Sequence, residues 1–290
     1  MEKDIESFYQ IRQQLGTASY LIIISLILLI LSEKYSIEIF PKRIRNGLLV
    51  YFTAISILAL SRTFLLVFIV LLICGLGLLS FNKYFIRNIL VIICTVLIGW
   101  WSLSRIDGME PYSFIGKLQS SLDEVTIQDY NPKQEIIYSW RGVEAYKGMQ
   151  EFKAGSLIEK VVGHGFGKSA DIGFEMTLDG KVFTSISKFH NGYISILLKT
   201  GILGVIVYFL FFFQMVWNSL KQDNKANLHS RFINNMIVGI SIVYLLTTIV
   251  IAGWLNTGSF IIFSFLLGYF LKLKKKQNNT FELSDIKISS

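Results

Sequence analysis

Three side chains in this sequence combine reactive chemistry with a suggestive setting: Arg62, Arg141 and His190. Arg62 lies between two apolar runs with no acidic residue near it in sequence. A charge in such a place is costly and commonly functional, although an arginine at a membrane interface can also snorkel. Arg141 borders the apolar stripe of a candidate helix. There its guanidinium can grip an anion or simply pair with Glu144 on the same helix face. His190 precedes an apolar run, where it can exchange protons near neutral pH or cap the helix that follows. His164 stands among glycines in Gly163-His164-Gly165-Phe166-Gly167 and reads as a turn residue. That glycine run is not a nucleotide cradle, since no strand precedes it and no Lys-Ser/Thr pair follows. No metal is expected: His164, His190 and His229 are scattered, and no His-x-x-x-His or Asp-x-Asp spacing occurs. A serine nucleophile elbow is also absent. Cys74 and Cys94 fall inside apolar runs and read as small buried hydrophobes. No cofactor is implied.

The elements that must position these residues are membrane helices. Hydrophobic residues make up 52% of the 290, and charged residues only 17%, where a soluble domain carries about 25%. A bilayer core about 30 Å thick takes roughly 20 apolar helical residues. Seven runs qualify or come close: 15–32, 46–61, 63–80, 86–103, 200–217, 233–252 and 255–271. Alternating ten-residue strands are absent, so helices are the expected form. The first run is not a cleaved signal peptide, because its leader Met1–Gln14 mixes acids and bases and no small-residue cleavage site follows. The expected fold class is an all-α polytopic integral membrane protein with about seven transmembrane helices and one large, partly helical loop. The expected divisions are membrane helices over 1–103, a loop over 104–189, membrane helices over 190–271 and a tail over 272–290.

Basic residues set the orientation. Lys34, Lys42, Arg43 and Arg45 lie in one connection, Lys83 and Arg87 in another, and Lys221, Lys225 and Arg231 in a third. Lys272, Lys274, Lys275 and Lys276 open the tail. Alternation puts all four clusters on one side, the cytoplasm, and the 104–189 loop on the other. The net charge of +8 is then a topology signal and a contact for membrane lipids, and nucleic acid is not an expected partner. The same assignment leaves Met1 outside, which raises the expectation that further membrane helices precede these or are encoded elsewhere.

The loop is far longer than a connector needs, and long ordered loops are commonly functional. Asn131-Pro132 suits a helix start. Over Lys133–Lys153, Ile136, Ile137, Trp140, Val143 and Tyr146 form one apolar stripe. Lys188-Phe189-His190-Asn191-Gly192-Tyr193 leads back into an apolar helix, and Lys199 comes too early in it for mid-membrane, so 190–199 is expected at the interface.

Taken together, Ser61-Arg62 at the head of a membrane helix, Trp140-Arg141 in the loop helix, the Gly163–Gly167 turn, and His190-Asn191-Gly192-Tyr193-Ile194 through Gly201-Ile202-Leu203-Gly204 resemble the O-antigen ligase and O-antigen polymerase superfamily of bacterial polysaccharide-assembly enzymes. The spacings fit as well: Arg141 follows Arg62 by 79 residues, and His190 follows Arg141 by 49. The likeness runs from about residue 12 to 271, and the chain is shorter at its N-terminus than members of that family. The resemblance implies a multi-pass protein of the bacterial inner membrane with its large loop in the periplasm. It implies an inverting, metal-independent glycosyltransferase of lipopolysaccharide or surface polysaccharide biosynthesis. The donor would be an undecaprenyl-diphosphate-linked glycan, and the acceptor lipid A core or a second lipid-linked glycan. Arg62 and Arg141 would clamp the departing diphosphate, since arginine's planar fork binds phosphate oxygens in pairs. His190 would be the general base, with Trp140, Asn191 and Tyr193 contacting the substrate. Two other classes compete. A non-enzymatic polysaccharide transporter needs paired polar residues within several spans, whereas the spans here are nearly all apolar apart from Asn46, Asn88 and Lys199. A membrane anchor would use the loop to hold a partner.

Overall fold

The computed structural model describes residues 18–81, 83–105, 116, 140–178, 181–221 and 227–288. Among them the chain forms the helices α1 (Ala18–Lys34), α2 (Lys42–Leu58), α3 (Arg62–Gly75), α4 (Phe85–Ser104), α5 (Trp140–Ala154), α6 (Leu157–Val162), α7 (Gly192–Leu220), α8 (Leu228–Ile251) and α9 (Thr257–Ile288). Strands β1 (Ala170–Leu178) and β2 (Lys181–Ile186) lie between α6 and α7 in sequence. Residues 85–102 of α4, with α7 and α8, are long and apolar enough to cross a membrane. The other expected runs fall on α1, α2, α3 and α9. Helices α1 and α2 have 17 residues each and α3 has 14, short of the roughly 20 that a bilayer core takes. Asn131-Pro132 and the first part of the expected loop helix, with Ile136 and Ile137, lie outside the described residues.

Two compact units result, one of residues 1–99, 214–243 and 257–290, the other of 100–213 and 244–256. In the first, α1 packs on α2, α3 and α9. Gly75 lets α3 approach α1, since a β-carbon there would sit 2.4 Å from Leu31 Cδ1. The Tyr20 ring meets Phe260 and Phe263 of α9. A polar knot ties α1, α3 and α8: the Tyr35 hydroxyl donates to the Gly75 carbonyl at 2.6 Å. It accepts from Asn235 Nδ2 at 2.8 Å, while Ser80 donates to Asn235 Oδ1 at 3.1 Å. Asn234 and Asn235 are buried polar residues inside an apolar run, so the spans are less purely apolar than expected. Cys74 is buried as expected, whereas Cys94 is exposed on α4.

The second unit corrects the all-α expectation. β1 and β2 pair antiparallel, Ala170 opposite Ile186 and Leu178 opposite Lys181, with an irregularity between Asp171 and Met176. Alternation is the cause: Ala170 and Ile172 are buried, while Asp171 and Gly173 face out. The hairpin, α5 and the head of α7 share one core of Ala145, Ala170, Ile172, Ile186, Phe189, Ile194 and Leu198. Gly148 allows the contact, because a β-carbon there would lie 2.5 Å from Ile194 Cγ2 and 2.8 Å from Phe189 Cε1.

α7 is two helical segments. Gly201 breaks it with φ 67° and ψ −170°, a backbone region that favours glycine. A break strands the carbonyls of the preceding turn, which need donors from elsewhere. The glycine turn after α6 supplies them: His164 N–H donates to the Leu198 carbonyl at 2.9 Å and Gly165 N–H to the Lys199 carbonyl at 3.0 Å.

Candidate functional site

His190 stands where the loop re-enters α7, held at three atoms. Its backbone N–H donates to Glu144 Oε2 at 2.9 Å, and its ring Nδ1 lies 2.8 Å from the same oxygen. Its carbonyl accepts from Ala252 N–H, at the end of α8. An ionised carboxylate can only accept, so Nδ1 carries the hydrogen, and in the neutral form of the ring the lone pair is on Nε2. The Glu144 side chain is 4% exposed and that of His190 is 46% exposed. A buried acid thus orients an open imidazole, the arrangement by which general bases are fixed in one tautomer.

The local sequence explains the position. Asn191 Oδ1 accepts from the backbone of Tyr193 at 3.1 Å and of Ile194 at 3.3 Å, so Asn191 caps α7 and sets where His190 leaves it. Gly192 admits the close pass of α8's end: a β-carbon there would lie 2.8 Å from Thr248 Cγ2. Ala252 takes the left-handed conformation, φ 61°, to turn its N–H toward His190.

Arg141 shares α5 with Glu144, three residues earlier and partly buried. Residues three apart on a helix are neighbours on its surface, so a cation, a buried acid and a histidine are grouped on and beside one helix. Arg62 belongs to the first unit, partly buried as the first residue of α3. Ser61 caps that helix, accepting from Phe64 N–H at 3.1 Å. A cation there opposes the helix dipole, a cost of about 0.3–1 kcal/mol.

The three residues expected to contact substrate have work within the fold. Trp140 packs against the loop core, and Asn191 is the cap just described. Tyr193 donates its hydroxyl to the Leu245 carbonyl at 2.8 Å, and its ring stacks on Phe209 at 5.1 Å. His164 is the turn residue it was expected to be, its Nδ1 3.2 Å from the Leu198 carbonyl. Among the described residues no three His, Cys, Asp or Glu side chains gather as a metal set would. Glu144 is the residue that sequence reasoning weighed only as an ion-pair partner for Arg141. Its signal was an acid on the apolar border of the loop helix, which must find a partner when buried.

These features define a helical protein with membrane-length apolar helices and a mixed helix–hairpin unit holding a Glu–His pair. No protein-family model, curated protein or solved structure matches the chain.

Proposed function

We propose that the protein is an O-antigen ligase-like glycosyltransferase of the bacterial inner membrane, with about seven membrane segments and residues 104–189 in the periplasm. It transfers a glycan from undecaprenyl diphosphate to an acceptor hydroxyl on lipid A core or on a second lipid-linked glycan. The observation that carries this reading is the buried Glu144 carboxylate on Nδ1 of the exposed His190. Nε2 takes the acceptor's proton as its oxygen attacks the anomeric carbon. The carbon–oxygen bond to the diphosphate breaks, its electron pair stays with the diphosphate, and configuration inverts. Glu144 stabilises the imidazolium formed in this step. Arg141, on the helix that carries Glu144, neutralises charge on the leaving group. Arg62 enters from the sequence pattern, supported by its position at a helix start where both side chain and dipole favour an anion.

The test is transfer by the purified full chain from a defined lipid-linked donor, run beside a donor-binding measurement. Wild type should transfer with or without EDTA, and His190→Ala should lose roughly 10²–10⁴-fold in rate while still binding donor. A wild-type protein that binds donor and never transfers it would instead favour the transporter reading, to which the buried Asn234 and Asn235 of α8 lend some chemistry.

A further inference from the structure

The loop unit exposes an apolar surface that its own core does not use. On α6, Leu157 is 79% and Ile158 73% exposed, and Phe166 in the following turn is 80% exposed; Val161 and Val162 are exposed between them. Water alone is a poor environment for five such side chains on so short a segment. Their place along α7 says what covers them. A β-carbon at Gly201 would lie 2.3 Å from the Val161 carbonyl oxygen, and one at Gly163 2.2 Å from the Lys199 carbonyl oxygen. The end of α6 is therefore level with residues 199–201. Directly beyond, α7 exposes Ile202, Leu203, Ile206, Val207 and Leu210, a surface suited to acyl chains. A bilayer that reaches Ile202 begins at the level of Val161 and Val162. Lys199, partly buried just before the break, and Lys160, next to Val161 in α6, stand at that same end, where ammonium groups meet headgroup phosphates.

We propose that α6 and the Gly163–Gly167 turn form a wedge embedded in the phospholipid interface, with Leu157, Ile158 and Phe166 among the upper acyl chains and Lys160 among the headgroups. Six residues of helix span roughly 9 Å, enough for one shallow anchor and too short to cross. The wedge fixes the depth at which the glycine turn meets the broken helix. The inference rests on α7 crossing a bilayer and stands apart from glycan transfer.

The experiment uses the full chain, with Cys94→Ala to remove the exposed thiol, in phosphatidylcholine–phosphatidylglycerol vesicles. Nitroxide labels are placed singly at Ile158→Cys, Phe166→Cys and, for reference, Ser185→Cys on the exposed side of β2. Collision rates are read with oxygen, which concentrates in lipid, and with a water-soluble nickel chelate. The oxygen-to-nickel ratio should be several-fold higher at 158 and 166 than at 185. Equal ratios at all three positions would place the segment in water and overturn the proposal. Exclusion of both reagents at 158 and 166 would mean that protein, such as a second copy of the chain, covers the surface, and would overturn it equally. All three substitutions are of exposed side chains, so each label reports on a folded protein.

Discussion

Gly163 and Gly201 sit at one close crossing of two chain segments: a β-carbon on Gly201 would meet the Val161 carbonyl and the Gly163 nitrogen, and one on Gly163 would meet the Lys199 carbonyl and the Thr200 nitrogen. Both have positive φ, 86° and 67°. Alanine at either site meets two penalties, a strained backbone of about 1–3 kcal/mol and a collision with main-chain atoms that cannot rotate away. Gly165, with φ 90° and nothing within 4 Å of a β-carbon, carries only the first. Unfolding of the purified variants should therefore rank Gly201→Ala and Gly163→Ala as the most destabilised and Gly165→Ala as milder. Gly47→Ala, in the body of α2 with open space around it, should be neutral or more stable by about 0.5–1 kcal/mol. Equal behaviour of Gly163→Ala and Gly165→Ala would mean that the turn does not press on α7.

Lys168 bonds Glu151 at 2.7 Å and so holds the Glu151 carboxyl below its ordinary value. A carboxyl lowered by folding adds stability above its unfolded value, about 4.3, and that stability fades as pH falls through the lower, folded value. Both side chains are partly exposed, so the contribution is under about 1 kcal/mol. The melting-temperature gap between wild type and Lys168→Met should be present at neutral pH and close on acidification below about pH 4. A gap that persists unchanged at pH 3 would assign Lys168 a packing role.

The apolar runs of the sequence fall on helices because long continuous hydrophobicity over ten or more residues admits few other forms. The hairpin was not legible in the same way. Ala170, Ile172 and Phe174 alternate with Asp171, Gly173 and Glu175, but the register irregularity before Met176 cuts the pattern short. The break at Gly201 was hidden for a related reason: a glycine in an apolar run looks like a small packing residue until its partner, Gly163, is known. At the site, His190 could be picked out by its own chemistry. Glu144 could not, because Arg141 offered it a nearby partner while the histidine that it binds lies 46 residues further on.

Orientation is tested at β2. In the proposed topology the basic clusters around Arg45, Arg87, Lys221 and Lys274 lie on the cytoplasmic side and the hairpin lies outside. With Cys94 replaced by alanine, Ser185→Cys should react with a membrane-impermeant maleimide in intact spheroplasts. Labelling that appears only after permeabilisation would reverse the topology and remove the periplasmic reaction with it.

Arg141→Lys separates a phosphate clamp from a charge on a surface. Lysine keeps the charge but loses the paired donors of the guanidinium. Transfer by Arg141→Lys should be reduced nearly as far as in Arg141→Ala, with donor affinity reduced in both. A lysine variant close to wild type in both measurements would return Arg141 to a structural role on α5.

The remaining prediction isolates the orienting role of Glu144. Glu144→Gln keeps the size of the side chain and an oxygen that can accept from His190 Nδ1–H, but removes the charge that stabilises an imidazolium. Its transfer rate should fall by at least tenfold while donor binding stays at the wild-type level, because no atom placed on the donor has changed. Glu144→Ala should fall further, and it should also lose about 1–3 kcal/mol of stability, since the His190 backbone N–H then has no acceptor. Combining Glu144→Gln with His190→Ala should cost little more than His190→Ala alone, as residues that act as one unit are not additive. The measurements are transfer from the lipid-linked donor, donor binding and thermal unfolding on each variant. Wild-type transfer by Glu144→Gln, or independent losses that multiply in the double variant, would separate the acid from the histidine and leave their contact a matter of folding alone.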